Sequence, residues 1–310
     1  MKLFFAKIAV IILNFFIKTN NVRIVNKIYN YSPFIFKDFL KRRLIQPEKL
    51  VRWKIRLRNN KIIKVRVNKN VYNEWDFALS YNQHDIGLCI IEQLINECSD
   101  KKFTYIDIGA NMGLRSLYAL STGRNVIMFE PNIELKSFSE NLFKDNNFNN
   151  YTIENLCLSD KDGSLPFYIS QNTYMSSLNK EYAKKDKSYK EIVVPVTSLD
   201  NYMKINPHII PGIIKIDVEG HEYNVIKGCE HVISSYSPTF LIEILDKTEQ
   251  NFELLKIFFQ KNYQIFGIAN SNKLNLIKID KSLFQNCQPT NYVITKKDEV
   301  LEKISKYIVN

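Results

Sequence analysis

The sequence predicts an α/β protein with a mostly parallel sheet and helices on both faces, and three stretches carry that prediction. Phe103 to Leu120, FTYIDIGANMGLRSLYAL, reads as a buried strand, a glycine turn and the first turns of a helix. Val126 to Glu130, VIMFE, is a second apolar strand that ends in an acid. Ile213 to Ile216 is another apolar strand, and its tip carries Asp217, Glu219, His221 and Glu222. Aromatic and β-branched runs of this kind suit parallel strands buried on both faces. Ligands of such sheets bind outside the carboxyl ends of the strands, which makes the acids at these tips candidate site residues.

The chain begins with an almost wholly apolar run, Leu3 to Ile17. It is shorter than the roughly 20 residues that span a bilayer. On a helix Lys7, Asn14 and Lys18 fall on one narrow face. Two readings stay open: a helix lying in a membrane interface, or one packed on the main domain or in an oligomer interface. No small-residue cleavage site follows the run, which argues against a signal peptide. Residues 1–69 hold 18 Lys/Arg against only Asp38 and Glu48, whereas the whole 310-residue chain carries +11. The remainder is therefore net acidic, and the basic character belongs to the extension. This weakens any inference of nucleic-acid binding from total charge.

Val51 to Val67 alternates on both sides of Asn59-Asn60 and predicts a β-hairpin. Val51, Trp53, Ile55 and Leu57 face inward; Arg52, Lys54, Arg56, Arg58, Lys64 and Arg66 form the outer face. That face is a docking surface for anionic lipid or an anionic glycan carrier, or simply a solvated one. Residues 1–75 are accordingly a basic extension and 76–310 the main domain. Within the latter, His84 to Cys98 predicts a helix, Ser137 to Lys144 another, and Ile153 to Leu158 a third strand. Ser159 to Gly163 is a turn, Glu222 to Gly228 a helix, and Phe240 to Ile244 a fifth strand ending near the acid Glu243. Tyr263 to Ala269 and Tyr292 to Thr295 close the sheet.

The glycine spacing selects a ligand. An acid at the tip of a second strand, here Glu130, accepts two ribose hydroxyls. A dinucleotide fingerprint needs a glycine where this chain has Asn111, and no Lys-Ser/Thr follows Gly113 as a P-loop requires. Asp107 is the wrong charge beside a phosphate and the right one beside an ammonium. S-adenosylmethionine carries an ammonium and a sulfonium but no phosphate. At the third strand tip, Ser159 or Asp160 is placed to bond the adenine amino group, or belongs only to the turn.

At the fourth tip, methyl transfer to a hydroxyl needs a base, since an alcohol is a poor nucleophile. His221 has the best intrinsic pKa for that task. Asp217 or Glu219 can serve instead, or hold a divalent metal such as magnesium. A structural alternative has Glu219 and His221 capping the helix that follows.

DIGANMG, FEPN, LSDKDGSLPFY, VPVTSLDNY, IIKIDVEGHEYNVIKG and FLIEI occur in this order, and together they resemble FkbM-type methyltransferases from about Phe103 to Ile244. The resemblance implies a Rossmann-like class I SAM-dependent methyltransferase fold with a seven-stranded, mostly parallel sheet. It implies O-methylation of a sugar hydroxyl in a surface glycan, polysaccharide or glycosylated metabolite. It assigns Asp107, Gly109, Ala110, Asn111, Gly113, Glu130 and Pro131 to the cofactor, and Asp217, Glu219 and His221 to the acceptor site. Ser176, Ser177 and Glu243 are then pocket residues on the acceptor side.

Two other functions were weighed. A nucleic-acid methyltransferase of the amino-directed kind carries an Asn/Asp-Pro-Pro-aromatic element at the fourth strand, and Asp217 to His221 has none. A non-enzymatic, membrane-associated SAM-fold protein is disfavoured by the intact acids and glycines. The five scattered cysteines show no zinc spacing and point to a reduced, cytoplasmic compartment; the basic extension allows a peripheral position on the cytosolic face of a membrane.

Overall fold

Five apolar runs become the parallel strands of one large sheet in the computed structural model, which describes residues 2–19, 22–32, 39–40, 44, 50–67, 78–79, 86–186, 188–269, 274–280, 283–284 and 289–309. They are β3 (Thr104–Ile108), β4 (Val126–Phe129), β5 (Tyr151–Glu154), β9 (Pro211–Ile216) and β10 (Thr239–Glu243). Three further strands join them on one side: β11 (Gln264–Ile268), β12 (Leu276–Ile279) and β13 (Asn291–Thr295), with the short β14 (Ile308–Val309) at the edge. The order is β14-β12-β11-β13-β10-β9-β3-β4-β5. β13 runs antiparallel to both β10 and β11.

The order reverses at β3, with β4 and β5 on one side and β9 and β10 on the other. That switch point is where a sheet of this kind opens a crevice for a ligand. Every residue of β3, β4 and β9 is buried, which is why these segments read as mostly apolar runs, broken by Thr104 and Asp107 in β3 and by Lys215 in β9.

The seven strands expected are present, and the sheet is wider by two. β12 pairs antiparallel with β11, and β14 adds beyond it. Without them β11 would leave an open edge of unpaired backbone, and Leu276 and Ile279 instead pack in the interior. The third predicted strand is also corrected. Tyr151–Glu154 stays in the large sheet, while β6 (Cys157–Leu158) leaves it for a separate three-stranded sheet with β7 (Gly163–Ser170) and β8 (Tyr189–Thr197), ordered β6-β8-β7. This small sheet has its own apolar cluster of Cys157, Phe167, Val194 and Val196.

The chain divides into two compact units, residues 1–85 with 141–147, and residues 86–140 with 148–310. The boundary expected between residues 75 and 76 lies outside the described residues, as do His84 and Cys287. In the first unit α1 (Lys2–Lys18) packs on α2 (Val22–Tyr31). The predicted hairpin is β1 (Val51–Arg56) and β2 (Ile62–Val67), in register Trp53↔Val65 and Lys54↔Lys64. Its inward residues are buried as the alternation requires. Asn60 closes the turn at φ 65°, a conformation Asn tolerates better than most residues. α2 docks on the hairpin through Asn26 Nδ2, which donates to Lys54 O at 2.9 Å, and through the Tyr29 ring against Trp53.

In the second unit Arg124 fixes the entrance to β3. It is fully buried. Its guanidinium donates to Asn96 Oδ1 and O, Ser99 O, Asp100 O and Phe103 O at 2.7–3.0 Å. These carbonyls end the helix Ile86–Cys98 and lead into the strand, where no helical partner remains for them. Arg124→Ala is expected to lower stability by about 3 kcal/mol or more by stranding buried acceptors. Arg124→Lys should recover only part, since an ammonium lacks the planar fork. Chemical denaturation of the three proteins measures the difference.

Candidate active site

The loop after β3 is shaped by positive backbone angles at Gly109 (φ 76°), Asn111 (φ 50°) and Gly113 (φ 73°). At Gly109 a Cβ would lie 1.9 Å from Asp217 O, so only glycine fits. Asp217 N in turn donates to Ile108 O at 3.0 Å. The cofactor loop and the acidic tip of β9 are therefore in direct backbone contact. Gly113 N closes the turn on Ala110 O at 2.9 Å.

Glu130 receives the loop. Its Oε2 accepts from Asn111 N and its Oε1 from Asn132 N, both at 2.8 Å. Each oxygen keeps a second lone pair, which leaves room for the two ribose hydroxyls the motif predicts. Burial pushes the Glu130 pKa up to about 7, although these two amides oppose it. Asn155 Nδ2 holds the backbone behind it, donating to Glu130 O and Pro131 O at 2.9 and 2.7 Å.

A crevice opens between these tips, about 670 Å³ with the space open to solvent included. Gly109, Asn111, Glu130 and Pro131 form its first wall. Leu156, Cys157, Leu158 and Phe167 form an apolar wall beside them, and Ser176, Asp217, Glu219 and His221 line the acceptor side. The expected residues thus converge, with several exceptions. Asp107 lies behind the wall, fully buried; its Oδ2 accepts from Ser116 Oγ at 2.7 Å and its Oδ1 has no hydrogen-bond partner. Burial raises its pKa. Ala110 and Gly113 shape the turn rather than the lining.

Ser159 and Asp160 also stand off the cavity, because the chain turns into the small sheet there. Ser159 Oγ lies 2.9 Å from His221 Nε2. Asp160 faces Lys227 at 3.8 Å. Ser177 is buried and holds the acidic loop by donating to Glu219 O at 2.8 Å. Glu243 stands behind the wall and hydrogen-bonds to Asp217, which lines it.

Asp217, Glu219 and Glu243 place carboxylate oxygens within 4.8 Å of one another. Lys215, buried near the carboxyl end of β9, donates from Nζ to Asp217 Oδ2 at 2.9 Å. Burial disfavours the Asp217 carboxylate, yet Lys215 and the Glu243 hydrogen bond hold its pKa below the usual range. The neighbours are pushed the other way. Burial and then the Asp217 charge raise Glu219 to about 8 and Glu243 to about 9. Burial lowers His221 to about 4. The carboxylates are the right ligand type for magnesium, but one Asp217 oxygen already serves Lys215.

His221 sits at the N-cap position of the helix Glu222–Lys227 without making a cap hydrogen bond. Glu222 holds the turn that precedes the helix, accepting from Gly220 N at 2.9 Å. Tyr182 covers Gly220, where a Cβ would meet its ring at 2.3 Å, and bonds Asp246 through its hydroxyl. Sequence reasoning passed over Tyr182, Asn155 and Lys215. Only Lys215 carried a signal, as a lone cation in an apolar strand.

This geometry agrees with the comparisons. Residues 107–265, half of the chain, match the model of the methyltransferase FkbM domain. The chain belongs to that family, and its second unit has the class I SAM-dependent methyltransferase fold. No curated protein matches it. Among solved structures, it is similar to the methyltransferase FkbM from Methylobacillus flagellatus KT, at 18% identity and TM-score 0.42 over 72% of this chain and 53% of that one. The chain thus spans about half the length of that protein. It is also similar to an rRNA methylase from Streptococcus thermophilus, at 10% identity and TM-score 0.41 over 68% of this chain and 96% of that one.

Gly109→Ala is expected to destabilise the protein by more than 2 kcal/mol, on the order of the cost of a backbone clash added to a strained φ. Gly123→Ala is the control: its φ is 85°, but nothing lies within 4 Å of the added Cβ, and the cost should be nearer 1 kcal/mol, roughly the left-handed penalty alone. Thermal melts of both variants test the difference.

Proposed function

We propose that the chain transfers a methyl group from S-adenosylmethionine to a hydroxyl of a neutral sugar or related polyol. The observation that carries this reading is one cavity lined both by Glu130 and by Asp217, Glu219 and His221. The cofactor, when bound, supplies an electrophilic methyl on a sulfonium. Glu130 takes the ribose diol, the Leu156–Leu158 and Phe167 wall takes the adenine, and the acids favour the cationic end. Among the described residues no Lys or Arg lines the cavity. This disfavours phosphate-bearing acceptors such as nucleic acid, while carboxylates suit hydroxyl donors.

The environment reorders the candidate bases. His221, best by intrinsic pKa, is held at about 4 by burial, and Asp217 is bound to Lys215. Glu219, at about 8, is the group matched to neutral pH. In this reading the Glu219 carboxylate takes the hydroxyl proton, and Lys215 keeps Asp217 ionised beside it. Magnesium is left open as a further occupant of the Asp217–Glu219–Glu243 group, and no proton or methyl step depends on it.

Glu219→Gln should retain S-adenosylmethionine binding and lose about 10²- to 10⁴-fold in methyl transfer, the usual worth of a base. A larger loss in His221→Ala would move the role to the imidazole. A methyl-label assay on glycan and RNA acceptors decides the substrate class, and label in RNA alone would overturn the reading.

Glu130→Ala should weaken cofactor binding about 10- to 100-fold, through loss of charge-assisted hydrogen bonds. The wild-type affinity should follow the ionisation of Glu130. Ribose donors favour the carboxylate, so binding strengthens as pH rises through about 7 and weakens below it, by up to about tenfold per unit. Calorimetry between pH 6 and pH 8, roughly one unit either side of the Glu130 pKa, measures this, and Glu130→Gln should flatten the profile.

A further inference from the structure

All described residues that line the cavity belong to the second unit. α1 is apolar on both sides. Val10, Leu13 and Ile17 are buried, while Ile8, Ile11, Ile12 and Phe15 are 38%, 69%, 49% and 61% exposed. At 3.6 residues per turn, these four and Lys7 and Lys18 share one arc of about 140°, with the lysines at its margin. α2 repeats the arrangement. Val22, Val25 and Tyr29 are buried, and the opposite arc exposes Ile24 and Ile28 beside Arg23 and Lys27. The first acid in the sequence is Asp38.

A helix apolar all round belongs in a core or in lipid, and an exposed apolar strip of this size marks a contact surface. The cations decide between occupants. A second copy would bring like charges together with no acid on either helix to pair them, which is unfavourable. An anionic lipid surface pairs every one of them. α1 has 17 residues, and no helix among the described residues is long and apolar enough to cross a membrane, so the fit is to the interface rather than the span.

We propose that the exposed arcs of α1 and α2 dock on an anionic phospholipid membrane. Ile11, Ile12 and Phe15 enter the headgroup layer, and Lys7, Lys18, Arg23 and Lys27 meet its phosphates. The surface stands independently of the methyl acceptor, since none of its residues touches the cavity.

The test is cosedimentation of the full chain with vesicles of phosphatidylcholine alone, or with about 30% phosphatidylserine, a strongly anionic surface. Binding to the anionic vesicles should exceed that to neutral ones at least about tenfold, and fall as salt rises from about 50 to 500 mM. Lys7→Gln/Lys18→Gln should weaken it about 25-fold, roughly fivefold per charge. Ile11→Ser/Phe15→Ser should weaken it at least about tenfold. All of these side chains are exposed, and unchanged thermal melts would show that the variants are folded. Absence of binding to either vesicle overturns the proposal, as does binding that both double variants leave intact. Self-association of the chain that Ile11→Ser/Phe15→Ser abolishes, without vesicle binding, would assign the surface to a second copy instead.

Discussion

The contact between Gly109 and Asp217 O sets everything else in the site. Two neighbouring parallel strands, β3 and β9, end at the same level, and their loops diverge from a point where no Cβ fits. One loop goes to Glu130; the other carries Asp217, Glu219 and His221. The Asp217 N to Ile108 O hydrogen bond locks the levels together. A displacement there of an ångström would be felt at both ends of the bound molecule, because in-line transfer tolerates little misplacement.

Electrostatics divides the acceptor tip into unequal carboxylates. Lys215 selects Asp217 for ionisation, while burial and then the Asp217 charge raise Glu219 and Glu243. Placing a lysine within a strand buried on both faces is costly unless it is paired. Its pairing with Asp217 satisfies the cation and fixes the rotamer of the acid at once.

The fold was legible wherever strands are buried on both faces. Phe103–Ile108, Val126–Glu130 and Ile213–Ile216 announce themselves as apolar runs, and their tips followed directly. The departure of Cys157–Leu158 from the large sheet was not legible, since Asn155-Leu156 contains neither glycine nor proline and the run looks continuous. Nor were the edge strands β12 and β14, which are short and partly polar. For the site, residue types and spacing placed Glu130 and the acidic tip correctly at one cavity. They could not rank the bases, because burial alone moves His221 from its ordinary value down to about 4. Asp107 was assigned from charge logic, whereas Ser116 and the interior hold it behind the wall. Membership of the FkbM methyltransferase domain family accounts for the order of the motifs, while the TM-scores of 0.42 and 0.41 add no finer argument.

The split of the third strand between two sheets has an evolutionary consequence. Part of the cavity lining, with Cys157, Phe167 and Leu178, hangs from a small sheet that owns a separate apolar cluster. The Asn111–Glu130 clasp and the acidic tip are built on the large sheet. Mutational drift in β7 and β8 can thus reshape that part of the cavity while the clasp and the acidic tip stay intact. A scaffold partitioned in this way lets one wall of a site vary while the rest is conserved by its own packing.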